Sequence, residues 1–358
     1  MANILNIFNQ FPKNYDLTIL QTFFAKPFKQ ENGKWTKPSL SLVAKDNNTG
    51  KKHVCEIEDP EYIWFLAKDP DKLTHHYDFL PKDEVEAIQC PNRELEKCIA
   101  QATGNMKFFT NNIANGEYRE NAKLHTLNQV FFSDQNIEDH YRFWFNRLFK
   151  NEIHSVRKAY LDIEVDISDI VGDFPEPGEA PVNVVTYIND GVINTYILRD
   201  PKNPLVQEFE NQVASGEIER DLRKLIEFAI GDETRQRKFN IFGYNFNVKF
   251  FDQEIQLLGS LFRQINTEEP DFLMAWNMAF DIPYLIQRIR NLGYRPESIM
   301  CHPDFKLNPK AEYFIDTRME NNYAERGDYA YISAYTVYLD QMIQFASRRK
   351  GQSAFASF

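Results

Sequence analysis

A chain of 358 residues with 43% hydrophobic and 14% aromatic side chains can bury a sizeable core and exceeds one ordinary small domain, which excludes disorder and predicts two domains. The formal net charge of −11 at pH 7 excludes a protein that coats nucleic acid with its whole surface, yet allows an enzyme that admits DNA through one local channel. No run is long and apolar enough to span a membrane, and the opening MANILNIFNQ lacks the basic stretch of a secretion signal. Cys55, Cys90, Cys98 and Cys301 form no CxxC and no zinc spacing, so reduced thiols and a cytoplasmic location are expected, the host cytoplasm if the chain is viral. Thirty Phe and seventeen Tyr suit base stacking, but core packing is the stronger expectation.

In chain order, residues 17–24 and 38–44 read as strands. Asp46-Asn47-Asn48-Thr49-Gly50-Lys51 reads as a turn leading to a returning strand at 53–57, because Asn and Gly supply the backbone angles a turn needs. Residues 100–127 are polar and show no clear period. Residues 136–149 predict a helix, with Ile137, Tyr141, Trp144 and Leu148 at helical spacing. The composition changes near residue 150, where the boundary between domains 1–150 and 151–358 is placed. Lys158 to Val165 reads as a strand, and 173–181, with three prolines and a glycine, as a loop. Asp190-Gly191 predicts a hairpin between strands at 182–188 and 192–198. Helices are expected at about 205–229 and 252–266, a short strand at 271–276, and a helix at 281–291 ended by Gly293.

Two groups of residues carry chemistry. Asp162 and Glu164 stand two apart on a strand, so both carboxylates point to one face and Leu161, Ile163 and Val165 to the other. A central strand packed on both sides is expected. Paired carboxylates on an apolar strand repel one another, and a hard divalent cation relieves that repulsion; alone, the pattern also fits a solvated strand end. Asn277 to Asp281 follows a short strand and precedes a helix. Asp281 is expected as its N-cap, with Pro283 in the first turn and Ile282, Leu285, Ile286 and Ile289 as the buried stripe.

Together, Tyr160-x-Asp162-x-Glu164 and Trp276-Asn277-x-x-Phe280-Asp281-x-Pro283-Tyr284-Leu285 resemble the first two motifs of the 3′→5′ exonuclease domain of family B DNA polymerases, nearest to those of T4-like bacteriophages. Residues 254–258 through Pro270-Asp271, the Pro-rich loop, and Tyr338-Leu339-Asp340 with the residues after it add to the likeness, which covers 150 onward. The resemblance implies an α/β chain: a ribonuclease H-like domain, a mixed sheet flanked by helices with Asp162 and Glu164 on its first strand, preceded by a smaller β-rich α+β domain. It also implies that Asp162, Glu164 and Asp281 hold two Mg²⁺ ions, or Mn²⁺, for phosphodiester hydrolysis, and that Asn277, Phe280, Ile163 and Tyr284 contact the frayed 3′ end of DNA. The implied partners are single-stranded or primer-template DNA, a polymerase half, a sliding clamp and other replication proteins, with no membrane.

The third motif of that family, Tyr-x-x-x-Asp, does not occur after Asp281: Tyr323 to Asp328 and Tyr335 to Asp340 are each one residue too long. The polymerase signatures are absent as well. The reading that follows is the N-terminal half of a split polymerase whose site is completed by a second chain and which is inactive alone. Its apolar ending around Phe355 and Phe358 would form an interface and make the isolated chain self-associate. Arg348-Arg349-Lys350 would meet DNA or the partner, or form a solvated turn. A truncated chain of the same ancestry, a stand-alone exonuclease and a non-catalytic scaffold for single-stranded DNA or the polymerase partner are the alternatives.

Overall fold

The computed structural model describes residues 7–12, 16–27, 29, 33–72, 84–109, 118–168, 170, 175–200, 205–230, 245–316 and 326–348. The apolar ending, Arg349, Lys350, Tyr323 and the loop residues 171–174 lie outside them. The chain divides into two compact units, Met1–His154 with Phe305–Asn308, and Ser155–Asp304 with Pro309–Phe358.

In the first unit β1 (Leu17–Ala25), β2 (Ser39–Asp46) and β3 (Lys52–Glu58) form an antiparallel meander. Its second turn closes on Gly50, at φ 73° and with its N–H on the Asp46 carbonyl at 2.7 Å. A second sheet orders β4 (Glu61–Ala67) between β5 (Val85–Pro91) and β6 (Val130–Phe131). Helices α1 (Leu95–Ala102) and α2 (Tyr118–His125) fall in or beside the stretch whose polar sequence showed no period, and α3 (Ile137–Leu148) follows. Asn136 caps α3 by accepting the Asp139 N–H at 2.7 Å. One face of α3 buries His140, Tyr141, Trp144 and Phe145. The imidazole of His140 stacks on Tyr62 at 3.9 Å, and its Nε2 accepts the N–H of Ile63 at 3.2 Å and the indole N–H of Trp144 at 3.1 Å. Those bonds fix the ring as neutral, and burial lowers its pKa to about 3.

The second unit is built on a six-stranded mixed sheet. β7 (Lys158–Val165), β8 (Val182–Asn189) and β9 (Val192–Leu198) form a meander. Asp190 and Gly191 both have positive φ in its second turn, as a two-residue hairpin requires. After α4 (Leu205–Ala214) and α5 (Glu217–Ile230), β10 (Asn245–Phe251) joins β9 in parallel. The single long helix expected here is two, because Gly216 takes φ 71° and ends α4. Then α6 (Glu254–Glu268) leads to β11 (Phe272–Ala275), parallel to β7, and α7 (Met278–Asn291) follows. After α8 (Pro296–Met300), the antiparallel pair β12 (Ala311–Phe314) and β13 (Tyr329–Ile332) precedes β14 (Val337–Asp340) and α9 (Gln341–Arg348). The order β10-β9-β8-β7-β11-β14 puts β7 near the centre.

One face of this sheet carries Leu161, Ile163, Val185, Tyr187 and Tyr196, which join Leu257, Leu258, Leu261, Phe262 and Ile265 of α6 in one core. Each such buried large side chain contributes about 1.5–3 kcal/mol. Arg157 fastens α6 to the start of β7: its guanidinium donates to the carbonyls of Glu268 and Glu269 at 3.0 and 2.7 Å. Its own N–H donates to the Asp271 carboxylate at 2.9 Å.

Candidate acidic site

Strand β7 alternates strictly: Leu161 and Ile163 are buried, while Tyr160, Asp162 and Glu164 are exposed. The two carboxylates therefore share a face, as period-2 geometry requires. That face is open, so the expectation of a strand packed on both sides does not hold. The pairing of β7 with β8 shifts register between Glu164 and Val165, and such an irregularity bends a strand and re-aims its side chains.

The second acidic element differs locally from its expected form. Helix α7 starts at Met278, with Asn277 in the N-cap position but making no side-chain capping bond. Asn277-Phe280 is therefore mostly helix, and Asp281 stands in the first turn and does not cap it. Met278 is 1% exposed; burying it at the first helical position draws the helix start forward. Pro283 lies inside the helix, early enough to forfeit only one backbone bond. At the other end Gly293, at φ 85°, closes the helix by donating to the Arg290 carbonyl at 2.9 Å.

Asp281 is 5% exposed, and burial first, then the negative charges of Asp162, Asp340 and Glu164, raises its pKa to about 8. Asp340, the last residue of β14, is also buried, and burial raises its pKa as well. The structure thus brings the three expected carboxylates into one electrostatic neighbourhood and adds a fourth. Asp340 belonged to the sequence likeness but was not expected at the site; its proximity comes from the parallel pairing of β14 with β11. The hydroxyl of Tyr313, on β12, is buried without a hydrogen-bond partner and feels the charges of Asp340 and Asp281.

The donor set is all carboxylate oxygen, the chemistry that hard divalent cations prefer, and such a cation would relieve the carboxylate repulsion that adds to burial in raising the pKa of Asp281. Among the described residues, however, no three His, Cys, Asp or Glu side chains stand close enough together to hold a metal ion. The residues fit the ion by the chemistry of their donor atoms.

Asn277 and Phe280 are partly exposed, with the Phe280 ring 5.2 Å from that of Tyr284. Tyr284 and Ile163 are buried, at 0% and 6% exposure. The hydroxyl of Tyr284 donates to the carbonyl of Ala180 at 2.9 Å and accepts its N–H at 2.8 Å. Tyr284 thereby clips the Pro-rich loop to α7, beside Arg288, which donates to the Gly178 carbonyl at 3.2 Å and pairs with Glu254 at 2.7 Å. Asn291 also donates to the Gly178 carbonyl, at 2.9 Å.

A mixed sheet flanked by helices, with carboxylates gathered about its central strands, fits an exonuclease domain of ribonuclease H-like kind. The sequence profile of DNA polymerase family B, exonuclease domain, matches residues 121–343. That match spans more than half of the chain, and the chain belongs to this family. Comparison with curated proteins gives no match.

Proposed function

We propose that this chain supplies most of a Mg²⁺-dependent 3′→5′ proofreading site in a replicative family B DNA polymerase of T4-like bacteriophage type. The observation that carries the reading is the match of the family B exonuclease profile to residues 121–343, with Asp162 and Glu164 on one face of β7 and the buried Asp281 of the second motif within reach of their charge. In this reading Asp162, Glu164 and Asp281 hold the divalent ions, and Asn277 and Phe280, both partly exposed, steady the 3′-terminal nucleotide. The bound ions supply an activated water and charge stabilisation for the leaving 3′ oxygen. The chain's own part is to fix the carboxylates on a rigid sheet and to bury Asp281 beside them.

The open face of β7 leaves room for further residues to complete the site, and in this reading a second chain brings them, carried with the polymerase domains and assembled with the clamp. The lack of a metal-holding group among the described residues favours a second reading, a non-catalytic scaffold for single-stranded DNA. The experiment is Mg²⁺-dependent degradation of a 3′-labelled single-stranded oligonucleotide by the purified chain, alone and mixed with a chain bearing the rest of a family B polymerase. Activity only in the mixture is the expected result. Activity from the chain alone, lost in Asp162→Ala, would instead establish a self-sufficient exonuclease, and binding without hydrolysis in either sample would establish the scaffold.

A further inference from the structure

Strands β11 and β14 run in parallel, and their last residues, Ala275 and Asp340, stand opposite one another. Both strands therefore end at one level, and each passes into a helix. The two helix starts are tied together. The N–H of Met342 in α9 donates to the carbonyl of Trp276, in the turn before α7, at 3.1 Å. The rings of Trp276 and Phe345 lie 5.9 Å apart. Asp340 caps α9 through Oδ1, which accepts the Ile343 N–H at 2.9 Å. Helix α7 has no cap from its own N-terminal side chain. The Asp340 carboxylate instead lies near the amides of Met278 and Ala279 at the start of α7. Its Oδ2 is buried and closes no hydrogen bond of normal geometry, so it remains an electrostatic partner for that helix end.

We propose that Asp340 is a positioning residue of the nuclease site: it caps α9 directly, neutralises the open N-terminus of α7, and so holds the turn bearing Asn277, Phe280 and Asp281 in register with Asp162 and Glu164. The inference rests on the nuclease reading for its catalytic consequence, but not for its structural one. An asparagine keeps the capping oxygen and loses the charge, whereas an alanine loses both.

The test compares Asp340→Asn and Asp340→Ala in the full chain, with the polymerase portion added wherever hydrolysis requires it. In Asp340→Ala, amide exchange at Met278–Asp281 and at Ile343 is expected to quicken about fivefold to tenfold. Its kcat for oligonucleotide hydrolysis should fall about a hundredfold, with little change in KM. Asp340→Asn should restore exchange protection at Ile343 but not at Met278–Asp281, with kcat between those of the alanine variant and the parent. Unchanged exchange at Met278–Asp281 in the alanine variant overturns the proposal. So does a folded Asp340→Asn that has lost hydrolysis as completely as Asp162→Ala, since Asp340 would then act through its charge on the ions or substrate. If the alanine variant does not fold, the asparagine variant alone decides by that criterion. If even the parent does not hydrolyse DNA, the nuclease reading fails, and the exchange data still judge the positioning role.

Discussion

Asp281 concentrates the electrostatics of the site in one group. Its carboxyl stays protonated in the folded chain up to pH 8 or so, whereas the unfolded chain releases that proton near pH 4. The folded state binds more protons across this window, so this group's contribution to metal-free stability falls as pH rises from about 4 to about 8. Replacing it, as Asp281→Asn, is expected to stabilise the metal-free chain by about 1–3 kcal/mol at pH 8 and to leave stability at pH 4 little changed. Urea unfolding at the two pH values checks this, and equal gains at both would refute the electrostatic account. His140 has the opposite sign. Its folded pKa lies at about 3, so stability is lost as pH falls below the ordinary histidine range. At pH 5 the loss should be about 2 kcal/mol, and His140→Gln should show a flatter acid limb in tryptophan fluorescence. Both roles escape a sequence reading, because burial is not written at either residue. What could be read was the shared face of Asp162 and Glu164, since alternation along a strand needs only the local period.

At the scale of elements, the loop ending at Pro181 is held on α7 by a close backbone approach. A Cβ on Gly178 would meet the backbone N of Arg288 at 2.8 Å, and Gly178 already takes φ 76°. Gly178→Ala is expected to cost at least about 2 kcal/mol. Arg288→Ala should cost about 3–5 kcal/mol by leaving Glu254, 7% exposed, without its ion partner and, among the described residues, held only by the N–H of Val182. Both variants should open residues 175–181 to limited proteolysis, and a resistant loop in both would refute the clamp. The proline-rich composition announced this loop, but not its anchor, which depends on residues a hundred positions away. Strands β7, β8 and β9 were legible almost to the residue because strong alternation and an Asp-Gly turn fix their register. The start of α7 was misplaced because Asp281 looks like a cap in sequence, while the burial of Met278 decides where the helix begins. Asp340 was legible as a residue but not as a neighbour, since parallel pairing across a crossover leaves no local trace.

For the whole molecule, the proposed function implies that a chain of net charge −11 receives DNA locally, with divalent ions offsetting the carboxylates. On the proposed function, Asp162→Ala with Glu164→Ala is expected to abolish proofreading by the assembled polymerase while primer extension on matched templates stays within about threefold of the parent. Proofreading retained in that double variant would overturn the site. Family membership and the mixed sheet were legible from two motifs, because those residues lie where strand, turn and helix meet. The first unit was legible only in part, since its contacts join segments far apart in the chain, as His140 with Ile63 shows.

The late arrival of β14 also sets a sequence of events in time. A ribosome releases the two strand carboxylates first and Asp281 well afterwards, and the strand that flanks the β11 end of the sheet emerges last among the described strands. A nascent chain thus carries Asp162, Glu164 and Asp281 before it carries β14. On the nuclease reading, a nascent chain could not align its acidic residues before β14 had left the ribosome.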